Sequence, residues 1–303
     1  MILLIQRRKF WYAISGTLAL LGAVSLIMWG LKFGLDFTGG SLLEVEFTKD
    51  RPGVEVVVDG LKPVNIGNIV AQPMADKGML LRFRDVNEDQ HQQILNKLKE
   101  IGGGELTEKR FESIGPVVGS ELQQRSIWAI VLACFFIISY ISWAFRKVSR
   151  PVVSWKYGIV AVLALLHDLL ITIGVFSILG HFFSIEVDSL FVSALLTILG
   201  FSVHDTIVVF DRIRENLFRG AAGDFEIIVN KSVNDTLARS INTSLTTLIV
   251  LACLFILGGE SIRYFALALL VGITAGTYSS IFVASPLLVD WHKWALKQTG
   301  RKS

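Results

Sequence analysis

Six long stretches almost free of charge constrain this chain more than anything else in it. About twenty apolar residues in a helix cross roughly 30 Å of hydrocarbon. Phe10 to Leu31 gives 22 uncharged residues between Lys9 and Lys32, and Ser126 to Phe145 gives 20 between Arg125 and Arg146. Tyr157 to Gly180, Val187 to Phe210, Ser240 to Gly259 and Tyr264 to Val289 supply spans three to six. Charged residues make up only 18% of the chain and mean hydropathy is +0.56, which excludes an ordinary soluble domain. Arg7-Arg8-Lys9 precede span one as they would a signal peptide. The run is too long for a signal core and no small-x-small cleavage site follows, so an uncleaved anchor is expected. Short links make spans three and four, and five and six, antiparallel hairpins. Cys134 and Cys253 fall inside apolar runs and are expected to pack as small hydrophobes, with no disulfide or thiolate metal site.

Residues 33–125 are a different material, with charges, glycines and prolines in soluble proportions. Ser41 to Phe47 alternates, with Leu43, Val45 and Phe47 on one face and Glu44 and Glu46 on the other, which predicts a half-buried strand. Asn68 to Met74 and Met79 to Arg84 read as two strands joined at Ala75-Asp76-Lys77-Gly78. Asn87 to Ile101 reads as a helix capped by Asn87, with Ile94, Leu95, Leu98 and Ile101 on one face, stopped by Gly102-Gly103-Gly104. Thr107 to Ile114 is a final strand; Val54 to Val58 stays open between helix and strand. The sum is a small α+β domain. The expected organisation is therefore 1–32 as N-terminus and first span, 33–125 as the extracytoplasmic domain, and 126–303 as spans two to six.

Basic residues near span ends orient the chain. Arg7, Arg8 and Lys9 precede span one; Arg146, Lys147, Arg150 and Lys156 link spans two and three. Arg212, Arg214, Arg219, Lys231 and Arg239 link four and five, and Lys293, Lys297, Arg301 and Lys302 follow six. All lie on one side if there are six spans, whereas the opposite short loops hold only Arg263. Both termini are expected in the cytoplasm. Asp224 is expected to cap a separate amphipathic helix at the interface, with Phe225, Ile228, Val229, Val233 and Leu237 on its apolar face.

An ionisable side chain inside a span is costly and reads first as functional. Asp205 lies among Leu199, Phe201, Ile207, Val208 and Val209, six residues before Asp211, hence about 9 Å of helix from the cytoplasmic end. Arg239 opens the next span from the same side, so the two can meet at similar depth. A carboxylate that alternately gains and loses that guanidinium would load and release a proton. The competing reading of Arg239 is a snorkelling, positive-inside residue, and that of Asp205 a polar contact between helices. His167-Asp168 lies deeper, near the middle of span three, and Glu186 and Asp188 sit at the outer mouth of span four. Together these give a candidate path from Glu186 and Asp188 through His167 and Asp168 to Asp205; interfacial capping explains Glu186 and Asp188 equally well. No HExxH is present and no third ligand sits at a matching depth, so no metal is expected. Gly272-Ile273-Thr274-Ala275-Gly276 is a GxxxG suited to close helix approach.

The run Val203-His204-Asp205-Thr206-Ile207-Val208-Val209-Phe210-Asp211-Arg212-Ile213-Arg214-Glu215-Asn216 resembles the signature of the SecF branch of the SecD/SecF protein-export family. Leu35-Asp36-Phe37-Thr38-Gly39-Gly40, Phe111-Glu112-Ser113-Ile114-Gly115-Pro116-Val117-Val118-Gly119 and Ala164-Leu165-Leu166-His167-Asp168 are similar to segments of the same family, in the same order. The resemblance covers nearly the whole chain. It implies an RND-type half bundle of six transmembrane helices with a ferredoxin-like extracytoplasmic (periplasmic) domain between helices one and two. It implies a bacterial cell (inner) membrane location and a SecD partner supplying the other six spans. It further implies work beside the SecY-SecE-SecG channel, in which the proton-motive force, carried by protons or sodium, promotes export of unfolded preproteins. The family's essential span-four aspartate and span-five arginine fall on Asp205 and Arg239, while His204 occupies a variable position of the motif.

No nucleotide-binding loop or nucleic-acid pattern appears, and the chain is not expected to be an enzyme or to carry a cofactor other than the coupling ion. Half of a small-molecule efflux pump is the nearest competitor, but an outer domain of about ninety residues is small for a drug pocket. An intramembrane hydrolase would need GxGD or HExxH, and neither is present.

Overall fold

A computed structural model describes residues 2–74, 76–146, 152–219, 224–298 and 300. Lys147, Arg150, Arg301 and Lys302 of the orientation argument, and Ala75 of the expected turn, lie outside them. The chain forms two compact units, one of Met1–Lys32 with Ile127–Ser303, the other of Phe33–Ser126.

In the smaller unit a short helix α2 (Leu35–Thr38) precedes β1 (Gly40–Phe47), α3 (Val54–Leu61), β2 (Val70–Met74), β3 (Gly78–Phe83), α4 (Glu88–Gly102) and β4 (Leu106–Ile114). The sheet runs β2-β3-β1-β4 with every neighbouring pair antiparallel. That βαββαβ order is the ferredoxin-like arrangement. Val54 to Val58, ambiguous in the sequence, is helical: Val57 and Leu61 reach the core, where the four-residue spacing of a helix turns both inward. Leu43, Val45 and Phe47 of β1 pack with Met79, Leu81, Ile94 and Leu98. Asn87 closes a capping box on α4, accepting from Gln90 N at 2.9 Å while the Gln90 side chain reaches back to its backbone.

Among the described residues six helices are long and apolar enough to span a membrane; five lie in the larger unit and one, Pro116–Ala144, runs into it from the smaller. They are α1 (Arg8–Trp29), α5 (Pro116–Ala144), α6 (Ser154–Phe183), α7 (Ser189–Phe218), α8 (Phe225–Leu257) and a last composite helix. The last runs as α9 (Glu260–Ser279), a π-helical turn (Ser280–Ala284) and α10 (Ser285–Gln298). Pro286 accounts for the irregularity, because its ring clashes with the carbonyl four residues back, at Phe282, and it has no N–H to offer it. The Ser285 hydroxyl instead donates to Ser280 O at 3.0 Å.

Small residues set the closest crossings. α1 meets α6 where Gly22 faces Gly174, and Ser25 Oγ donates to Gly174 O at 3.1 Å. The expected GxxxG packs against α7: a Cβ on Gly272 would fall 2.1 Å from Ile198 and one on Gly276 2.7 Å from Ser202.

Three expectations change. The amphipathic stretch after Asp224 is no separate interfacial helix but the beginning of α8, continuous with span five. α7 itself continues to Phe218 and holds that stretch, through Arg212 to Asp235 at 2.7 Å and Asn216 to Ser232 at 2.8 Å. Its face of Phe225, Val229 and Val233 is therefore buried with Ile5, Phe210 and Ile213 rather than lying against lipid. Asp224 occupies the N-cap position without a side-chain hydrogen bond. Cys253 is exposed on the bundle surface rather than packed, and both cysteines are free.

Candidate functional site

A belt of hydroxyl and carboxyl groups crosses the apolar bundle at the middle of α7. Ser202, Asp205 and Thr206 recur at helical spacing, so all three point inward, and all are buried. Asp168 of α6 is 0% exposed and accepts three hydrogen bonds: from Ser202 Oγ at 2.7 Å, from Ser279 Oγ at 2.8 Å and from the His167 ring Nδ1 at 3.0 Å. Thr206, next to Asp205 on α7, shares a 2.9 Å hydrogen bond with Ser280. The π-helical turn starts at Ser280, so the helix is unwound where successive serines, Ser279 and Ser280, both turn into the belt.

Asp205 is 3% exposed. Ser244 Oγ of α8 donates to its Oδ2 at 3.4 Å, and Ser244 in turn is 2.5 Å from Thr277 Oγ1 of α9. Thr277 is a second hydroxyl neighbour of the carboxylate. One carboxylate thus sits against hydroxyl groups and within electrostatic reach of the His204 ring, and no lysine or arginine among the described residues forms an ion pair with it. Ser202 lies three residues before Asp205, so the Asp168 cluster is about 4.5 Å further from the cytoplasmic end of α7.

The expected Asp205–Arg239 contact is not formed in this structure. α8 turns Ser240 and Ser244 inward, while Arg239 is exposed and makes no ion pair among the described residues. Five residues separate Arg239 from Ser244, which is about 7.5 Å along the helix and about 140° around it. From the outer mouth, the inward face of α7 supplies no polar step towards Ser202. Asp188 caps α7, accepting from Phe191 N at 2.9 Å, and Glu186 lies 3.9 Å from Lys32. Between Asp188 and Ser202 the inward face of α7 is Phe191, Ala194, Leu195, Ile198 and Leu199, all buried in the apolar core. That face of α7 offers a proton no acceptor; the buried hydroxyls on the outer side of Asp168, Thr172 and Ser177, belong to α6. His204 is exposed, and its ring lies within electrostatic reach of the Asp205 carboxylate.

The serines and threonines of the belt were not singled out in the sequence. Their signal was present as hydroxyls one turn from an intramembrane carboxylate: Ser202 and Thr206 around Asp205, and Thr277 and Ser280 on span six.

The family described as "Protein export membrane protein SecD/SecF, C-terminal" matches residues 93–294, and "SecD/SecF GG Motif" matches residues 24–50. The chain belongs to the SecD/SecF family. The protein translocase subunit SecF of Thermobaculum terrenum is 44% identical over 302 residues, covering 96% of this chain and 94% of that one. The corresponding subunit of Anaerolinea thermophila is 39% identical, covering 96% and 94%. The crystal structure of SecDF from Thermus thermophilus, a translocon-associated membrane protein, aligns with a TM-score of 0.78 at 32% identity. It covers 95% of this chain, which spans 38% of the length of that longer one. A SecF-type subunit of the protein translocase, with a multi-pass helical bundle and a small sheet unit, is thus the frame in which the belt is read. The relatives' names denote transport rather than an enzymatic reaction.

Proposed function

We propose that this chain pairs with a SecD-type partner and, beside the SecY-SecE-SecG channel, uses the proton-motive force to promote export of unfolded preproteins. In this reading it lies in the bacterial cell (inner) membrane with both termini cytoplasmic and the Phe33–Ser126 unit outside. Asp205 loads and releases the coupling ion, a proton or sodium. Arg239 reaches Asp205 in another state of the cycle, by rotation of α8 or approach of the partner half. His167 and Asp168, joined to α7 through Ser202, are the second protonatable station. Glu186 and Asp188, engaged with Lys32 and the α7 cap, serve the outer end of the bundle.

One observation carries the reading: a carboxylate inside an apolar bundle, 3% exposed, whose hydrogen-bond partners are hydroxyls and which no lysine or arginine among the described residues pairs. Burying a charge without a counter-charge costs several kcal/mol. Protonation removes that cost, so Asp205 favours different helix arrangements in its two forms. An elementary charge moving through 100 mV releases about 2.3 kcal/mol, enough to shift a two-state equilibrium about fifty-fold. The test is Asp205→Asn in cells lacking their own copy. Preprotein export should fall to the level of the empty strain while the variant still accumulates in the membrane and copurifies with the SecD-type partner. Normal export by Asp205→Asn would overturn it.

A further inference from the structure

Between Asp205 and the surface of α8 and α9 stands the Ser244–Thr277 pair, two hydroxyls 2.5 Å apart, the first of which donates to the carboxylate. A crevice of about 260 Å³ lies between α8 and the last helix, lined by Leu237, Ile241, Leu248, Thr274 and Tyr278 together with Ser244 and Thr277. Ser244 and Thr277 therefore have two faces. One meets the crevice; the other meets the Asp205 carboxylate. The volume is ample for several waters; the lining is almost wholly apolar, so the few hydroxyls that reach it are the polar partners that waters would find there.

We propose that the Ser244–Thr277 pair is the port through which Asp205 exchanges its proton with water in the α8–α9 crevice. The proposal rests on the reading of Asp205 as the coupling group. A hydronium ion in the crevice protonates Thr277 Oγ1, whose own proton passes to Ser244 Oγ across 2.5 Å. The Ser244 proton then forms an O–H bond at Asp205 Oδ2. Water is released, each hydroxyl keeps one hydrogen, and the carboxylate becomes neutral. In this structure Thr277 donates to Ile273 O at 2.9 Å, so its hydroxyl turns from that carbonyl towards Ser244 to pass a proton, whereas Ser244 already donates to the carboxylate at 3.4 Å. The apolar walls let the crevice dry when α8 and α9 close, which prevents a leak between cycles.

The experiment compares Ser244→Ala/Thr277→Val, Thr277→Val, Thr277→Ser and Asp205→Asn in the full chain, in cells lacking their own copy. Rates of export driven by the proton-motive force are measured alongside membrane level and partner copurification. The double variant should lose at least ten-fold in rate at normal membrane level, and Thr277→Ser should recover what Thr277→Val loses, since only the hydroxyl matters. Normal export by the double variant beside an inactive Asp205→Asn overturns the port and leaves the Asp205 reading standing. An active Asp205→Asn overturns that reading instead. Thr277→Cys, in a chain with Cys134→Ala and Cys253→Ala, gives an arm independent of activity. A small water-soluble methanethiosulfonate should label it in intact membranes, and failure to label overturns the port.

Discussion

The Ser202 hydroxyl donates to the Asp168 carboxylate at 2.7 Å, and this bond ties α7 to α6 in the apolar centre of the bundle. Ser279 adds a third helix to the same carboxylate at 2.8 Å. A buried acceptor that loses its donor carries its full desolvation cost, about 1–3 kcal/mol. Ser202→Ala should therefore lower thermal stability by about that much. Asp168→Ala should cost more, because it strands Ser202 and Ser279 together with the His167 ring. Detergent-solubilised chain followed by fluorescence-detected size exclusion over a temperature ramp measures both. Equal stability of Asp168→Ala and the parent would remove the network from the account of the fold.

Asn230 anchors the N-terminal segment to α8. Its Oδ1 accepts from Ile5 N at 3.1 Å and its Nδ2 donates to Ile2 O at 3.1 Å, with Asn234 repeating the pattern at Ile2. Arg8 adds ion pairs to Glu226 at 3.0 Å and to Asp290 at 2.8 Å. Asn230→Ala should raise hydrogen exchange across residues 2–7 by ten-fold or more, with little change in the centre of α1. Unchanged exchange there would show that Asn234 and Arg8 hold the segment alone.

Much of this architecture was legible because hydrophobic period and charge placement act locally. The six spans, the four strands and the Asn87 cap depend on residues within a turn or two of one another. The helical state of Val54–Leu61 was not legible, since β-branched residues pull toward strand and only the core contact of Val57 and Leu61 decides. The continuity of α8 was hidden for a similar reason: an amphipathic face reads the same against lipid as against Phe210 and Ile213. Asp205 stood out through the cost of its charge. Its neighbours Ser244 and Thr277 did not, because a hydroxyl in a span can satisfy itself on its own helix, as Thr243 does on Arg239 O.

In the smaller unit, Glu46 of β1 is paired with Lys109 of β4 at 2.7 Å, and the hydrogen bond and charge of Lys109 hold its carboxyl below the usual carboxylate range. A depressed folded value means that the contribution is present above the unfolded pKa and is lost as pH falls through the folded one. Lys109→Ala should return the Glu46 titration to the ordinary range and abolish that acid-side contribution. Carbon-detected NMR of the labelled carboxyl reads the shift directly; an unchanged titration would mean that the pair is absent in solution. Both groups are exposed, so the effect on overall stability should be small.

The glycines separate two kinds of close contact. A Cβ on Gly174 would lie 2.3 Å from Gly22 Cα and 3.1 Å from its carbonyl carbon, all of it backbone of α1, which cannot move without shifting the helix. A Cβ on Gly60 would meet Ile101 Cδ1 at 2.5 Å, the free end of a side chain that can rotate away. In both helices alanine has the better propensity, by about 1 kcal/mol. At Gly60 that gain has little to oppose it, so Gly60→Ala should leave the melting temperature unchanged or raise it. At Gly174 overpacking of about 1–3 kcal/mol or more opposes it, and the bond from Ser25 to Gly174 O is pulled apart as well. Gly174→Ala should lower the melting temperature and weaken disulfide cross-linking between cysteines placed on facing positions of α1 and α6. If Gly174→Ala were as stable as Gly60→Ala, the α1–α6 crossing would have to be looser than the backbone contact at Gly22 requires.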